Sequence, residues 1–137
     1  MSDINRLVEV VERLRSENGC PWDKVQTHES LKPTCIEEAA EVICGINVLS
    51  STGNPDSLKE ELGDLLFHIV LHAQIAKEEG FFDLDDIINS ISDKMIRRHP
   101  HVFGEATVSD DGNELKSWNE IKSFEKKGKE WMDAGIF

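Results

Sequence analysis

The chain has 137 residues, a length that suits one domain with a real hydrophobic core. Apolar residues make up 39% and charged residues 31%, which is ordinary for a soluble globular domain and excludes a disordered segment. The formal net charge of −12 argues against a nucleic-acid polymer or an anionic membrane as the main partner. An anionic ligand would therefore need a positive mediator, most simply a divalent metal ion.

The sequence has no apolar run of about 18 residues and no basic-then-apolar start, so neither a membrane span nor a signal peptide is expected. Its cysteines, Cys20, Cys35 and Cys44, form no Cys-x-x-Cys pair. This pattern favours reduced thiols and a cytoplasmic location. A zinc site built on Cys20 and His28 is the alternative.

Helical periodicity dominates the chain, and no strand pattern is present, which predicts an all-α bundle of about five helices. In the first helix, Leu7, Val8, Val11 and Leu14 share one face, and residues 17–19 supply the stop. Residues 20–33 contain two prolines and indicate a structured connection. The second helix is predicted over about residues 34–49.

A turn over residues 50–55 leads to a third helix, predicted over roughly residues 56–79 and ended by Gly80. Apolar residues cover several of its faces, so we expect it to be central or shared with a partner chain. Asp83 is the expected N-cap of a fourth helix, which must stop near His99 because Pro100 follows. After a polar loop over residues 105–113, a last helix carries Leu115, Trp118, Ile121 and Phe124. We expect residues 1–128 to form the domain and residues 129–137 a tail.

Acidic residues recur on the second and third helices at positions that share a face. Glu37, Glu38 and Glu41 fall within about a 100° arc, and Glu61 and Asp64 are three residues apart. A solvated face is the ordinary explanation for the first group. Asp64, however, sits beside leucines where the helix should turn into the core, and two helices joined by a short turn would present these acids to each other. Buried charges of one sign need a cation, and oxygen ligands favour Mg²⁺ or Mn²⁺.

Two histidines continue the same face of the third helix. A di-iron bundle would use Glu-x-x-His motifs, and the chain contains none. His68 and His72 lie four and eight residues beyond Asp64. They are either ordinary packing residues or partners of the metal ligands.

Cationic and aromatic pairs follow at helical spacing. Lys94 and Arg98 are i, i+4, and so are Trp118 and Lys122. The first pair either stabilises a helix C-terminus or contacts phosphates. The second is either core packing or a platform for a nucleobase with a donor beside it. Together with the acids, these pairs describe a site for a nucleoside polyphosphate and its metal.

Four segments, "GCPWDKVQTHESLKP", "EEAAEV", "EELGDLLFHIVLHAQIA" and "ISDKMIRRHPHVFGE", resemble MazG-type nucleoside triphosphate pyrophosphohydrolases of the all-α NTP pyrophosphatase superfamily. The resemblance covers about residues 7–122. It implies Mg²⁺-dependent hydrolysis of a nucleoside triphosphate to the monophosphate and pyrophosphate, with Mn²⁺ as a substitute. It also implies a homodimeric helical bundle and a house-cleaning role toward non-standard nucleotides.

By position, the resemblance makes Glu38, Glu41, Glu61 and Asp64 metal ligands. Glu37 would be either a partner of these ligands or the base that activates water, and Glu38 is the other candidate base. The resemblance also makes Lys94 and Arg98 triphosphate contacts and Trp118 and Lys122 nucleoside contacts. Longer members carry two such domains in tandem, and the motifs here resemble the N-terminal copy, whose activity can be weak. The complete acid set nevertheless predicts an active domain.

Two other functions fit part of the pattern. A related branch of the superfamily hydrolyses dUTP or phosphoribosyl-ATP, and the acid motifs alone do not separate these substrates. A non-catalytic acidic module that binds nucleotide or protein would explain the composition and the helices. It would not explain acids at ligand spacing on two neighbouring helices.

Overall fold

The computed structural model describes residues 3–104, and within them the chain is helical with no strand. The predicted all-α fold is confirmed. The predicted last helix and the tail lie outside the described residues. The helices are α1 (Ile4–Leu14), α2 (Lys32–Thr52), α3 (Asp56–Glu78), α4 (Leu84–Arg98) and the single turn α5 (Pro100–Phe103).

The core forms where α1 packs on the second half of α3. α1 starts at the N-cap Asp3, whose carboxylate accepts a hydrogen bond from the Asn5 backbone N–H at 2.9 Å. The apolar face of α1 packs against the buried face of α3. The buried cluster consists of Val11, Leu31, Val70, Leu71 and Ile75, with Leu7, Val8, Phe67 and Leu84 packed against it.

α2 is longer than the sequence predicted at both ends. It begins at Lys32 rather than residue 34, because Pro33 lies in the first turn, where no N–H is needed. It continues to Thr52, three residues beyond the predicted end. Gly53 then stops it in a left-handed conformation, φ 75°, with its N–H bonded to the Leu49 carbonyl at 2.8 Å.

α2 and α3 form an antiparallel helical hairpin. The two backbones come closest at Gly45, which is buried on α2. A Cβ at this position would lie 2.8 Å from the Leu58 Cα and 3.0 Å from the Leu58 N. The absence of a side chain at Gly45 therefore sets the distance between the two helices.

The chain divides into two compact units, Met1–Ile87 and Ile88–Phe137. In the first, Asp83 caps α4 as predicted: its carboxylate accepts from the Asp86 N–H, and Asp86 accepts from the Asp83 N–H, both at 3.0 Å. In the second, α4 ends at Arg98, as Pro100 requires, and the His99 ring bonds the Met95 carbonyl at 2.6 Å. No helix of residues 3–104 has the length and apolar character needed to cross a membrane.

Candidate active site

Four carboxylates meet on facing sides of the α2–α3 hairpin. Glu38 and Glu41 come from consecutive turns of α2, and Glu61 and Asp64 come from consecutive turns of α3. One oxygen of each lies within 4.8 Å of the others. These are the four acids in which the sequence suggested metal ligands, and we call them the carboxylate cluster. Glu37 is exposed and lies outside it.

The charges within the cluster repel one another, and this repulsion contributes to raised pKa values at Glu38 and Glu61. A hydrogen bond with the Glu41 carboxyl, burial and the Glu41 and Asp64 charges together raise the pKa of Glu61 to about 7. Burial and the charges of Glu41 and Asp64 also raise the pKa of Glu38. Without a cation, the cluster therefore holds protons at pH values where ordinary carboxyls have lost them.

Two oxygens of the cluster lack partners. Glu38 Oε2 and Glu61 Oε2 are buried and accept no hydrogen bond from any of residues 3–104. Buried carboxylate oxygens without donors are costly, and a bound cation would satisfy both. A set of four carboxylates without nitrogen or sulfur ligands fits a hard divalent ion such as Mg²⁺ or Mn²⁺.

A pocket of about 240 Å³ opens beside the cluster. Glu38 and Asp64 form part of its wall, and His68 continues the wall one turn further along α3. The pocket therefore joins the acids to a partly apolar recess. The remaining lining residues are Asp23, Gln26, Leu31, Thr34, Phe67 and Leu71.

The connection between α1 and α2 forms one side of this pocket, and Arg15 holds it in place. The Arg15 side chain is only 8% exposed. Its guanidinium donates to the backbone carbonyls of Asp23 and Gln26 at 2.6 and 3.0 Å. It also pairs with the Glu78 carboxylate on α3, at 2.8 and 3.3 Å. The Arg15 side chain thus ties the connection to both α1 and α3.

Three histidines link the same connection to α3. His28 Nδ1 and His72 Nδ1 share a hydrogen bond of 2.7 Å, and the two rings are parallel with their centroids 5.0 Å apart. His72 in turn meets the His68 ring edge-on at 4.5 Å between centroids. Burial lowers the pKa of His68, and burial together with the neighbouring rings lowers that of His72. Among the described residues, Cys20 and His28 do not belong to a group of three or more side chains that could hold a metal ion.

The predicted phosphate contacts, Lys94 and Arg98, occupy successive turns of α4 in the unit Ile88–Phe137. Lys94 is half-buried and Arg98 is buried. Their role as phosphate contacts stays a prediction. The predicted nucleoside contacts, Trp118 and Lys122, lie outside the described residues.

Sequence reasoning missed the wall of the pocket. Asp23 and Thr34 carry no recognisable spacing, since one lies in a connection and the other on the first turn of a helix. For His68, the face it shares with Asp64 was a usable signal. A histidine that only packs between helices would show the same spacing. The position of His68 in the pocket wall is what distinguishes a site residue from a packing residue.

Fold and site together define an all-α domain in which two antiparallel helices present a carboxylate cluster that can hold a cation. Residues 26–103 match the family model that is described as the MazG nucleotide pyrophosphohydrolase domain. This match covers more than half of the chain, and it includes the carboxylate cluster. The chain belongs to the MazG nucleotide pyrophosphohydrolase domain family.

Two curated proteins are similar to this chain over most of its length. The chain is 50% identical over 129 residues to the nucleoside triphosphate pyrophosphohydrolase/pyrophosphatase MazG of Thermotoga maritima, covering 94% of this chain and 48% of that protein. It is 46% identical over 130 residues to the nucleoside triphosphate pyrophosphohydrolase of Escherichia coli K12, covering 94% and 48%. The chain thus spans about half the length of these curated relatives.

Among solved structures, the chain resembles the crystal structure of a mazG-related protein from Thermotoga maritima. The TM-score is 0.66 at 30% sequence identity, over 87% of this chain and 98% of the other. The likeness therefore extends over nearly the full length of that solved chain.

Proposed function

We propose that this domain hydrolyses nucleoside triphosphates to the monophosphate and pyrophosphate, using a divalent cation held by Glu38, Glu41, Glu61 and Asp64. The observation that carries the proposal is the carboxylate cluster, in which one oxygen of each of four acids lies within 4.8 Å of the others and two buried oxygens lack partners within the described part of the chain. Two of the relatives that match most of this chain are named for this activity. We further propose Mg²⁺ as the ion, with Mn²⁺ as a substitute, because the donor set is all oxygen.

In this scheme the carboxylate cluster would hold a cation, and the triphosphate would bind at the α2–α3 hairpin because of that cation's charge. The bound cation would neutralise phosphate charge and make a coordinated water more acidic. Glu38 or Glu37 accepts the proton of the attacking water at a carboxylate oxygen. Glu38 belongs to the cluster, whereas Glu37 is exposed beside it, so the two roles can be separated by experiment.

Lys94 and Arg98 would neutralise the departing pyrophosphate, and Trp118 with Lys122 would contact the nucleoside. These assignments rest on the positions of the residues in the family motifs. The net charge of −12 adds a selective effect, since the protein repels metal-free nucleotide and accepts its neutralised complex.

We also propose a homodimer. The faces of α2 and α3 that point away from the core carry exposed apolar residues, with Ile43 59% and Leu62 48% exposed. Ile36, Ile46 and Leu66 are exposed as well. Apolar surface of this kind is typical of an interface between copies of a chain. Light scattering across a range of protein concentration measures the mass directly, and a monomer at every concentration would refute the proposal.

The activity is tested by measuring pyrophosphate and monophosphate released from a panel of NTPs, dNTPs, dUTP and phosphoribosyl-ATP. Each substrate is run with Mg²⁺, with Mn²⁺ and with EDTA. We expect equal amounts of the two products and no turnover in EDTA. Folded protein that binds metal and nucleotide without turning over any substrate would point instead to a binding module.

Four variants test the assignment of the site. Glu38→Gln and Asp64→Asn should abolish both turnover and the Mg²⁺-induced rise in melting temperature, because each removes a proposed ligand. Glu60→Gln is the matched control, since Glu60 is an exposed acid on α3 next to the cluster but outside it. Full Mg²⁺-dependent turnover in the first two variants would refute the assignment. Glu37→Gln separates the base: if it keeps the metal shift and loses turnover, Glu37 takes the proton.

A further inference from the structure

Asp23 contributes a carboxylate to the pocket beside the carboxylate cluster. It lies in the connection between α1 and α2, is half-buried, and forms part of the pocket wall. Its backbone carbonyl already accepts from the Arg15 guanidinium at 2.6 Å and from the Gln26 N–H at 3.3 Å. Within residues 3–87, the described part of the first unit, its carboxylate accepts no hydrogen bond and forms no ion pair. The carboxylate is therefore the group through which Asp23 can bind a ligand.

The pocket has the wrong charge for phosphates. Three of its lining residues are acids, Asp23, Glu38 and Asp64, and none of the lining residues in the described part of the chain is a lysine or an arginine. Walls of this charge repel a triphosphate tail that no cation neutralises. The apolar lining residues are Leu31, Phe67 and Leu71. Apolar walls with a few polar groups are typical of a small-molecule site, so the pocket fits the uncharged nucleoside end of a nucleotide.

The position and size of the pocket select the sugar from the nucleoside. Glu38 and Asp64 belong both to the carboxylate cluster and to the pocket wall, so cluster and pocket are continuous. If a cation at the cluster holds the α-phosphate, the next group along the molecule is the sugar, bonded through its 5′ oxygen. At about 240 Å³ the pocket is smaller than the roughly 300–1,000 Å³ of sites that enclose whole ligands of drug size. It therefore takes one part of the nucleotide.

The chemistry of Asp23 also fits a sugar. An ionised carboxylate only accepts hydrogen bonds, and the 2′ and 3′ hydroxyls of a sugar are donors. A hydroxyl bound to a carboxylate forms a short bond, stronger than one between neutral groups. Asp23 does not belong to the group of four acids that could share a cation, so its carboxylate stays available for an organic ligand. The neighbouring Gln26 amide is used within the connection, by the Ser30 hydroxyl at 2.6 Å and the Trp22 carbonyl at 3.2 Å.

Arg15 places Asp23 before a ligand arrives. Its guanidinium bonds the carbonyls of Asp23 and Gln26 and pairs with Glu78 on α3. The backbone that carries the Asp23 carboxylate is therefore anchored to two helices. An acceptor that is already in place loses little conformational entropy when its ligand binds.

We propose that Asp23 determines specificity for the sugar, its carboxylate accepting a hydrogen bond from a hydroxyl of the ribose or deoxyribose of a nucleotide in this pocket. The class of ligand rests on the proposed function. The proposal adds a residue of the α1–α2 connection to the site and makes the sugar, rather than the base alone, a determinant of turnover.

The test compares three substrates that share one base: the ribo-, 2′-deoxy- and 2′,3′-dideoxynucleoside triphosphate, each with Mg²⁺. Asp23→Ala removes the acceptor and keeps the backbone carbonyl that Arg15 binds, whereas Asp23→Asn keeps a weaker, uncharged acceptor. We expect Asp23→Ala to lower kcat/KM roughly 10- to 100-fold for substrates that carry the bonded hydroxyl. The dideoxy substrate should lose much less, and Asp23→Asn should lie between wild type and Asp23→Ala. A loss for the ribonucleotide alone identifies the 2′ hydroxyl, and a loss for both hydroxylated substrates identifies the 3′ hydroxyl.

Glu29→Ala is the matched control. Glu29 is an exposed acid of the same connection, pairs with Lys32, and is absent from the pocket wall. Its removal changes the net charge as Asp23→Ala does, and it should leave the ratios between the three sugars as in the wild type. Weaker repulsion of the phosphates affects all three substrates alike, so these ratios carry the test.

Two results would overturn the proposal. One is a folded Asp23→Ala, checked by circular dichroism, that keeps the wild-type sugar ratios. The other is a variant that changes only the ratios between different bases on one sugar, which would assign Asp23 to the base.

Wild-type turnover, measured first, tests the proposed function separately. With an inactive wild type, the same ratios are read from dissociation constants of the three nucleotides with Mg²⁺, measured by calorimetry. Dissociation constants that do not depend on the sugar hydroxyls, or the absence of binding, would then overturn the assignment of Asp23.

Discussion

Replacing Gly45 by alanine should destabilise the protein and disturb the carboxylate cluster. The new Cβ would lie 2.8 Å from the Leu58 Cα, where an ordinary contact needs 3.4 to 4 Å. The opposing atom is backbone, so relief requires α2 and α3 to separate by several tenths of an ångström or more. Overpacking of this kind costs about 1–3 kcal/mol.

Gly63→Ala is the matched control for the same hairpin. Gly63 lies within α3, and a Cβ there would meet nothing within 4 Å. Alanine stabilises a helix interior by about 1 kcal/mol relative to glycine, and both variants receive this gain. The two should therefore differ in free energy of unfolding by about 1–3 kcal/mol, with Gly63→Ala the more stable. For a domain of this size that difference corresponds to about 3–15 °C in melting temperature.

Thermal and urea melts in EDTA measure the two free energies, and repetition at several protein concentrations shows any contribution from dissociation of a dimer. The same melts with Mg²⁺ report on the site, because the Gly45 contact lies one turn from Glu41. We expect a smaller Mg²⁺-induced shift in Gly45→Ala than in Gly63→Ala. Equal stability of the two variants would refute the reasoning that Gly45 sets the spacing of the helices.

Further predictions concern the charges of the first unit. Because the pKa of Glu61 is raised to about 7, the neutral carboxyl stabilises the metal-free protein fully below pH 4.5, and that stability is lost as the pH rises toward 7. Melts in EDTA from pH 4.5 to 7.5 should show a decline that is weaker in Glu61→Gln, and identical slopes would contradict the shift. Arg15→Ala should cost about 2–3 kcal/mol, because it removes a buried guanidinium from two carbonyls and a carboxylate. Lys77→Ala, which removes an exposed pair with Glu12, should cost less than about 1 kcal/mol by the same denaturation curves; equal costs would show that Arg15 is not a clamp.

Much of the α2–α3 hairpin could be predicted from the sequence because its determinants are local. The spacings of Glu38 to Glu41 and of Glu61 to Asp64 fix which face each pair occupies, and the short turn at Gly53 forces the faces together. The ends of α2 were predicted less well. Pro33 looks like a breaker in sequence, although in the first turn of a helix it needs no N–H.

The pocket depends on contacts between residues far apart in the chain, and these leave no pattern. Arg15 reads as one more charge at the end of an amphipathic helix. Its role follows only from the Asp23 and Gln26 carbonyls and the Glu78 carboxylate that converge on it. The place of His28 against His72 is likewise set by how the connection folds back onto α3. Neither contact corresponds to a regular spacing in the sequence, so neither could be predicted from it.

The carboxylate cluster has one more consequence, for the order of events in folding. All four acids come from one helical hairpin, residues 38–64, so their assembly needs only a short loop to close. Short-range contacts form early because little chain entropy is lost before they are made. Mutual repulsion opposes that early closure, and an ion that screens it would favour the hairpin before the rest of the core exists. Refolding of this chain should therefore be faster with Mg²⁺ than in EDTA. The unfolding rate should depend in addition on the contacts between α1 and α3.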